Sequence, residues 1–508
     1  MGIKMADNVD DYPDRVAEMY KDKTIFITGG TGFVGKVLIE KLLRSCSQVN
    51  KIYILIRTKK WKHPNDRLKD MFASPLYDMV KEQRGEDIIN KVSPVVGDVM
   101  LPNLGICKED REMLAEEVEF IFHCAATIRF DETLSKAVFL NARGTKYMLD
   151  LAKECKKLLC FAHLSTAYCH LHERILYEKP YPPPADPHKV IQTVEWLDEE
   201  VINTITPTIL GDIPNTYAFT KALGEALVGE EKDRLPVVIL RPSVVIPIWK
   251  EPLPGWTDNI NGPTGLLIGA GKGVIRTMYC KQDSYADYVP VDITVNAMLL
   301  CVFDYVELKG GRWVYNLTSS AEYKITMEEI INIGRRVINT RIPLNGVAWY
   351  PGGSMKRSKI VHYICFFLFH LVPAVLVDCL LLVLGYKPVL MRVQKRIWKG
   401  FEVFEYYANN QWDFNNEDSM RTRETLNPKE RLVYKCDGDG IDYFEYFTKC
   451  VHAARLYILK ETDDTLPAAR RHMTVMWLVD KVCKILFAVG MLYLLYKKVL
   501  SPVLQAYL

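Results

Sequence analysis

The chain has 508 residues, more than a single hydrophobic core usually serves, so we expect two domains with appendages. Its 65 basic and 62 acidic residues leave a net charge of only +3, which gives no reason to expect nucleic acid as a partner. The 13 cysteines lack CxxC spacing, so we predict free, mostly buried thiols rather than a disulfide framework or a zinc site.

The N-terminal segment, 1–20, is polar and has no apolar core of the kind a secretory signal needs, so we expect the main folded part of the chain in the cytosol. From Thr24 to about Leu240, helical patterns alternate with the apolar runs "TIFITGG", "KIYILIR", "KVSPVVGD", "VEFIFHCAA", "CFAHLSTAY" and "LPVVILRPS". Continuous apolar strands joined by helices indicate a parallel sheet covered on both faces. The predicted fold class is therefore α/β, with a doubly wound parallel sheet.

A glycine-rich loop follows the first predicted strand and opens a helical pattern, in "TIFITGGTGFVGKVLIEKLLR" at 24–44. This placement fits a Rossmann dinucleotide site, in which backbone N–H groups and a helix N-terminus hold the pyrophosphate. The predicted contacts are Thr28, Gly29, Thr31, Gly32, Phe33, Val34 and Gly35. The alternative is a glycine-rich packing turn.

The second strand ends in a basic residue, Arg57, with Lys59 and Lys60 close behind. An acid in this region suits the ribose of NAD, whereas a basic residue suits the 2′-phosphate of NADP, so we predict NADPH as the cofactor. A solvated basic loop end is the alternative. Asp98 and Val99 after the third strand and Ala125 after the fourth complete the predicted cofactor contacts, although Asp98 could equally form a turn.

Tyr217 and Lys221 stand four residues apart in "PNTYAFTKALGE" and therefore share one face of a helix. A lysine ammonium beside a phenol lowers the tyrosine pKa and makes the phenol a usable proton donor. Ser165 and Thr166 in "LSTAY" are candidates to hydrogen-bond a reacting carbonyl oxygen. We prefer Thr166, which directly precedes the small Ala167, but capping or packing roles stay open for both hydroxyls.

Histidines lie near the fifth strand, at His163, His170 and His172, but we find no acidic or cysteine partner at usable spacing. We therefore predict no metal site. His123, at an apolar strand end, is predicted to be a hydrogen-bonded core residue rather than a catalyst.

Two apolar stretches, 360–386 and 475–496, suggest contact with a membrane. Pro373 and Asp378 interrupt the first, and basic residues flank it on both sides, which argues against a simple crossing. We expect this stretch to dip into a membrane or line an acyl tunnel; a true span is the alternative, and a buried core helix stays open for both stretches. The second either spans with its lysines reaching the interface or lies in the interface as an amphipathic helix.

The motifs TGxxGxxG and YxxxK resemble those of extended short-chain dehydrogenase/reductases. The longer sequence runs around these motifs resemble the alcohol-forming fatty acyl-CoA reductases over nearly the whole chain, from about Lys23 to the terminal apolar segment. The matching runs include "GGTGFVGKVLIEKLLRSC", "FIFHCAATIRF", "YPPPADP", "PNTYAFTKALGE", "GPTGLLIGAGKG" and "LPAARRH". Gly30 stands where many members of that family have alanine.

The resemblance implies reduction of long-chain fatty acyl-CoA to a primary fatty alcohol with two NADPH and release of CoA, through a hemithioacetal and an aldehyde. Tyr217 and Lys221 match the catalytic pair of the family, and Lys221 would also hold the nicotinamide ribose. For the phosphates of CoA, we consider Lys250, Lys272 and Arg276 as a docking surface.

The resemblance also implies the domain organisation and the location. We expect a reductase domain at 21–355, a smaller, mainly helical sterile-type domain at 356–460 and a hydrophobic membrane anchor at 470–508. The expected location is the endoplasmic reticulum membrane with the catalytic domain in the cytosol; a peroxisomal membrane and a lipid droplet are alternatives. Membrane lipid is an expected partner, and a homodimer is considered.

Two other functions stay open at this point. One is an extended short-chain reductase that acts on a sterol or a nucleotide sugar. The other is a non-catalytic, NADPH-binding membrane scaffold, against which the intact Tyr217 and Lys221 count.

Overall fold

The structure is a computed structural model and describes residues 8–59, 62–260, 262–319, 322 and 324–500. These residues form two compact units. The first contains the described residues up to Trp256 together with Tyr285–Ile325 and Tyr406–Ile441. The second contains Thr257–Ser284, Thr326–Glu405 and the described residues from Asp442 onward. The units thus interleave along the chain, and 406–441, part of the predicted sterile-type domain, belongs to the first.

The strands are β1 (Thr24–Thr28), β2 (Lys51–Ile56), β3 (Val92–Val96), β4 (Phe120–His123), β5 (Cys160–Leu164), β6 (Ile175–Leu176), β7 (Val237–Pro242), β8 (Val244–Ile246), β9 (Thr277–Tyr279), β10 (Tyr288–Pro290), β11 (Val314–Leu317), β12 (Ser354–Lys356) and β13 (Asp413–Phe414).

The α-helices are α1 (Arg15–Tyr20), α2 (Phe33–Ser45), α3 (Pro64–Phe72), α4 (Asp78–Arg84), α5 (Lys108–Glu117), α6 (Leu134–Ala137), α7 (Gly144–Glu154), α8 (Pro187–Trp196), α9 (Glu199–Leu210), α10 (Thr216–Glu230), α11 (Pro263–Gly271), α12 (Val291–Phe303), α13 (Met327–Thr340), α14 (Lys359–Phe366), α15 (Val372–Val383), α16 (Leu390–Asn409), α17 (Glu417–Glu424), α18 (Pro428–Val433), α19 (Tyr443–Ala453) and α20 (Leu466–Leu495).

The first unit is organised around a parallel sheet with the strand order β11-β7-β5-β4-β1-β2-β3. This confirms the predicted α/β class and its doubly wound parallel sheet, and the six predicted apolar runs supply β1 to β5 and β7. Strands β2 and β3 extend the sheet beyond β1, and β5, β7 and β11 extend it beyond β4. Open sheets of this kind bind ligands beyond the carboxyl ends of the strands where the order reverses, here between β1 and β4.

The strand register places the chemistry-bearing residues at one edge of the sheet. Thr28 of β1 pairs with His123 of β4, and His123 pairs with His163 of β5. The carboxyl ends of β1, β4 and β5 are therefore level, and the residues that follow them share one edge.

Helix α10 packs against this sheet through Phe219 and Leu223, which are fully buried with Phe161 and Ile239 of the sheet. The helix begins at Asn215, whose side chain accepts a hydrogen bond from the backbone N–H of Ala218 at 2.9 Å. Buried apolar contacts and a capped N-terminus thus fix the helix that carries Tyr217 and Lys221.

In the second unit, one wider helical turn at Phe367–Leu371 joins α14 and α15 into an apolar rod, Lys359–Val383. By length and composition, this rod is long and apolar enough to cross a membrane. Only 22% of its most apolar 18-residue stretch is buried in the protein. The predicted anchor at 470–508 contains most of α20; residues 501–508 lie outside the described part of the chain.

Candidate active site

The glycine loop lies between β1 and α2, where the strand order reverses. Gly29 has a φ of +72°, and a Cβ there would lie 2.7 Å from the backbone nitrogen of Ala125. A Cβ at Gly35 would overlap the carbonyl oxygen of Gly29. Gly32 is the N-cap of α2 and has no side chain, so no side chain covers the N–H groups of the first turn there. The loop therefore fits a pyrophosphate held by backbone N–H groups and the helix dipole.

Two arginines lie beside this loop. Arg67 of α3 donates hydrogen bonds to the carbonyl of Arg57 at 2.6 Å and to the hydroxyl of Thr31 at 3.2 Å. Burial and the neighbouring Arg57 charge lower the pKa of Arg67. The two neighbouring positive charges leave a positive potential that an anion would relieve. The sequence analysis missed Arg67, although a basic residue on the helix after β2 was a usable signal; Lys60 lies outside the described residues.

Asp98 follows β3, and its carboxylate accepts a hydrogen bond from the backbone N–H of Met100 at 3.0 Å. The same carboxylate lies 3.4 Å from the Arg57 guanidinium. Val99 is buried and packs against Gly144 at the start of α7. The turn-forming role considered for Asp98 is therefore observed, and its contact with the cofactor stays a prediction.

Tyr217 and Thr166 are brought together at the carboxyl edge of the sheet. The Thr166 side chain lies beside the Tyr217 phenol and opposes the burial that raises the pKa of Tyr217 to about 12. The Thr166 hydroxyl accepts a hydrogen bond from the backbone N–H of Tyr168 at 3.2 Å. The neighbouring Ser165 hydroxyl is buried and has no hydrogen-bond partner within the described ranges. The geometry thus favours Thr166 over Ser165 as the partner of Tyr217.

Lys221 lies one helical turn after Tyr217, and its ammonium donates to the carbonyl oxygen of Leu164 at 2.5 Å. Burial lowers the pKa of Lys221 to about 8, and the charge of Glu225 opposes this effect. The expectation that Lys221 lowers the tyrosine pKa is wrong for this structure, because burial of the phenol dominates and the ammonium is bound to a carbonyl. The Tyr217 phenol keeps its proton at neutral pH.

A buried charged cluster lies behind Lys221. Arg241 holds both oxygens of the Glu225 carboxylate, at 2.9 and 2.7 Å, and the ring of His170 lies 3.1 Å from it. Burial alone would lower the pKa of His170, but Cys169 and Glu225 raise it to about 10.

The sequence analysis found no acidic or cysteine partner for these histidines, yet the fold brings Cys169, His170 and Glu225 within 4.8 Å of one another. Glu225 comes from a distant helix, so spacing along the chain did not reveal it. Since Arg241 already neutralises the carboxylate, the group fits an ion-pair cluster rather than a metal site.

The other histidines have separate environments. His123 is buried between the hydroxyls of Thr28 and Thr145, at 2.7 and 3.1 Å, and burial lowers its pKa to about 3. It is the hydrogen-bonded core residue that we expected, and its lowered pKa keeps the ring neutral. His163 is buried beside His123, whereas His172 is exposed and lies 3.5 Å from Glu173.

An aromatic wall flanks the phenol of Tyr217. The ring of Phe130 lies 5.3 Å from that of Tyr217 and 5.2 Å from that of Tyr407. Asn215, the N-cap of α10, donates to the Tyr407 hydroxyl at 2.9 Å. Tyr407 belongs to the segment 406–441, so the C-terminal part of the chain contributes to the surroundings of the candidate catalytic residue.

Two family models match the chain, both described as "Male sterility protein": an NAD-binding model over residues 27–298 and a Sterile model over residues 369–461. Among solved structures, the reductase (R) domain of a nonribosomal peptide synthetase from Mycobacterium tuberculosis is similar with a TM-score of 0.58 and 18% identity, over 88% of this chain and 97% of that one. The terminal R domain from the myxalamid PKS-NRPS biosynthetic pathway gives a TM-score of 0.57 and 19% identity, over 87% and 93%. At these identities the likeness shows the fold alone.

The sequence relatives are more similar. The chain is 38% identical to "Fatty acyl-CoA reductase 1" of Xenopus laevis and of Homo sapiens, over 90% of this chain and 89% of each relative. It is 37% identical to "Fatty acyl-CoA reductase wat" of Drosophila melanogaster, over 88% of this chain and 86% of that relative. The nucleotide loop and the Tyr217–Lys221 pair fit an NAD(P)-dependent oxidoreductase, and the chain belongs to the fatty acyl-CoA reductase family.

Proposed function

We propose that this chain reduces long-chain fatty acyl-CoA to a primary fatty alcohol, with two NADPH consumed and CoA released. The observation that carries the proposal is the position of Tyr217 next to Thr166 at the carboxyl edge of the sheet, the edge at which the nucleotide loop follows β1. The name of the relatives supports the substrate class.

Bound NADPH supplies the hydride that reaches the carbonyl carbon. Thr166 and Tyr217 donate hydrogen bonds to the carbonyl oxygen as negative charge develops on it. Collapse of the resulting hemithioacetal expels CoA thiolate and leaves the aldehyde in the site. In the second reduction, Tyr217 gives its proton to the alkoxide. One acyl-CoA, two NADPH and two protons thus yield one alcohol, one CoA and two NADP⁺.

Three further side chains have proposed roles at the cofactor. Lys221, whose pKa is about 8, carries positive charge at neutral pH and holds the nicotinamide ribose. Arg57 and Arg67 pair with the 2′-phosphate, which a guanidinium can bind through two parallel hydrogen bonds. We therefore propose NADPH rather than NADH.

The surface considered for CoA needs a correction. The Lys272 ammonium pairs with Glu461 at 2.5 Å, and the Arg276 guanidinium donates to the carbonyl of Tyr350 at 2.6 Å. Because both cations already serve the second unit, we do not propose them for CoA. Lys250 is exposed, and its ammonium lies 4.2 Å from the centre of the Trp249 ring. Its contact with CoA stays a prediction.

We further propose that the chain binds membrane lipid, with the endoplasmic reticulum as its location and the reductase unit on the cytosolic side. The exposed apolar surface of the rod, 359–383, supports membrane association. A peroxisomal membrane and a lipid droplet are the alternative locations, and a homodimer stays a prediction.

The test is a product balance with the purified full chain in detergent, palmitoyl-CoA and NADPH. We expect fatty alcohol, with two NADPH oxidised for each CoA released. Oxidation of NADPH with a sterol ketone or a nucleotide sugar, and none with palmitoyl-CoA, would support the alternative reductase. Cofactor binding without any turnover would support the scaffold.

A further inference from the structure

The apolar rod reverses the usual distribution of side chains in a water-soluble protein. Its polar residues His362, His370 and Asp378 are buried, with exposures of 3, 1 and 6%. Leu376 and Val383, by contrast, are 65 and 84% exposed. From residue 360 to 383 these three polar side chains face the protein and most of the large apolar side chains face outward, so the outer surface is matched to an apolar surrounding rather than to water.

The rod does not end in free chain but turns back into α16. The Asp378 carboxylate accepts hydrogen bonds from the backbone N–H groups of Val389, Leu390 and Met391, at 2.8 to 2.9 Å, and so caps α16. A carboxylate at a helix N-terminus also interacts favourably with the helix dipole. The buried acid is therefore the residue that closes the turn.

Contacts continue along both helices. The His370 ring lies 3.0 Å from the Gln394 side-chain oxygen, and the Lys359 ammonium lies 2.6 Å from the Glu405 carboxylate. The contacts join residue 378 to 390, residue 370 to 394 and residue 359 to 405. Residue numbers thus fall along the rod as they rise along α16, so the two helices are antiparallel. We call this pair, residues 359–405, the hairpin.

The return helix carries a row of exposed cations, Arg392, Lys395, Arg396 and Lys399. At 100° per residue they cluster on the side of α16 away from Gln394, which faces the rod. If the rod crossed a bilayer, the antiparallel partner would carry these charges into the hydrocarbon, where cations are strongly disfavoured. If the hairpin lies in the membrane plane, the same charges can stay at the level of the headgroups.

The tail helix α20 repeats the pattern. Leu486 and Phe487 are 65 and 71% exposed, whereas Asp480 is 2% exposed and accepts hydrogen bonds from Trp349 at 2.7 Å and Lys484 at 2.6 Å. The Arg276 guanidinium lies 3.8 Å from the Asp480 carboxylate. The backbone N–H of Arg276 donates a hydrogen bond to the ring of His370 at 2.9 Å. One residue thus contacts both apolar helices, which share the second unit.

We propose that the hairpin lies in the plane of an anionic phospholipid bilayer, with the rod among the upper acyl chains and the cationic row of α16 at the lipid phosphates. The partner follows from charge and polarity: an outward apolar face for acyl chains and a basic row for anionic headgroups. The inference rests on the proposed membrane association and adds that the rod does not cross.

The first experiment measures the depth of the rod in vesicles of phosphatidylcholine with a minority of phosphatidylserine. A fluorophore is attached to Val361→Cys, Leu368→Cys, Leu376→Cys or Val383→Cys, one at a time, in the full chain with Cys107, Cys365, Cys379 and Cys483 replaced by serine. Lipids brominated at shallow or deep acyl positions then quench it. We expect shallow quenching of similar strength at all four positions.

A profile that is shallow at 361 and 383 and deep at 368 and 376 would overturn the proposal in favour of a crossing. Quenching at none of the four positions would overturn it as well. Alcohol formation is measured in parallel with the same vesicles. If turnover is intact but the quenching shows a crossing or is absent, the in-plane hairpin is wrong and the proposed reductase activity is unaffected.

The second experiment reverses charges on the return helix. Lys395→Glu with Arg396→Glu should lower partition into anionic vesicles about tenfold or more and reduce its salt dependence. Lys108→Glu with Arg234→Glu, at exposed positions of the first unit, is the matched control and should leave partition unchanged. Equal partition for both double variants would contradict the headgroup assignment.

Discussion

The edge of the sheet in the first unit and the hairpin in the second both bury polar side chains, but for different purposes. Around α10, the buried cluster of Glu225, Arg241 and His170 is satisfied internally, and Tyr217 and Lys221 lie on the same helix next to the nucleotide loop. In the hairpin, the buried Asp378 and His370 join two helices, and the apolar side chains are left outside. Burial of a polar side chain therefore does not by itself indicate a catalytic role. Its neighbours decide whether it takes part in the reaction, stabilises the fold around the site or closes a turn.

The largest effect is expected at the sheet edge. Tyr217→Phe removes the proton donor and one hydrogen bond to the developing oxyanion, so alcohol formation should fall about 10²- to 10⁴-fold. NADPH binding, measured by fluorescence titration, should stay nearly normal. Tyr177→Phe, at a half-exposed position of the same unit, is the control and should retain full activity. Wild-type turnover in Tyr217→Phe would remove this residue from the mechanism.

The buried charges behind the site give the next effect. Glu225→Gln leaves the Arg241 guanidinium buried without a counter-charge, and the free energy of unfolding should fall by about 3–5 kcal/mol. Glu154→Gln breaks the exposed pair with Arg111 and should cost under about 1 kcal/mol. Urea denaturation of the two variants checks the difference. Equal losses would mean that the cluster is not a buried ion pair in solution.

Cofactor selectivity is the next difference, because within the described residues Arg67 forms no ion pair and Arg57 has only the partly exposed pair with Asp98 at 3.4 Å. Arg57→Ala and Arg67→Ala should each weaken NADPH about 10-fold to 100-fold, since a charged hydrogen bond contributes about 1.5–3 kcal/mol. NADH affinity should hardly change. Similar losses for both cofactors would contradict the 2′-phosphate assignment.

The smallest effect is expected on the rod. In detergent, Leu376→Ala removes a side chain that is 65% exposed and should change the free energy of unfolding by less than about 0.5 kcal/mol. Leu223→Ala, at a fully buried position of α10, should cost about 2–5 kcal/mol. A large loss for Leu376→Ala would show that protein, rather than lipid, covers the rod.

Local patterns were enough to predict most of the first unit. Apolar runs of strand length predicted β1 to β5 and β7, and glycine spacing predicted the nucleotide loop, because both depend on neighbouring residues. Tyr217 and Lys221 were predicted as a pair because helical periodicity puts positions four apart on one face.

Features that depend on distant parts of the chain were missed. Arg67 reaches the loop from the next helix, and Tyr407 comes from a segment far along the chain that no spacing rule connects to Tyr217. The raised pKa of Tyr217 and the pairing of Lys272 with Glu461 follow from burial and tertiary contact, neither of which can be read from a short motif.

The central claim is that both hydrides are delivered at the Tyr217 site to the same carbon. It is tested most directly with NADPH that carries deuterium at the transferred position, palmitoyl-CoA and the full chain, followed by mass spectrometry of the alcohol. The account predicts two deuterium atoms on the carbinol carbon. An alcohol with one deuterium or none, or an aldehyde as the end product, would contradict it.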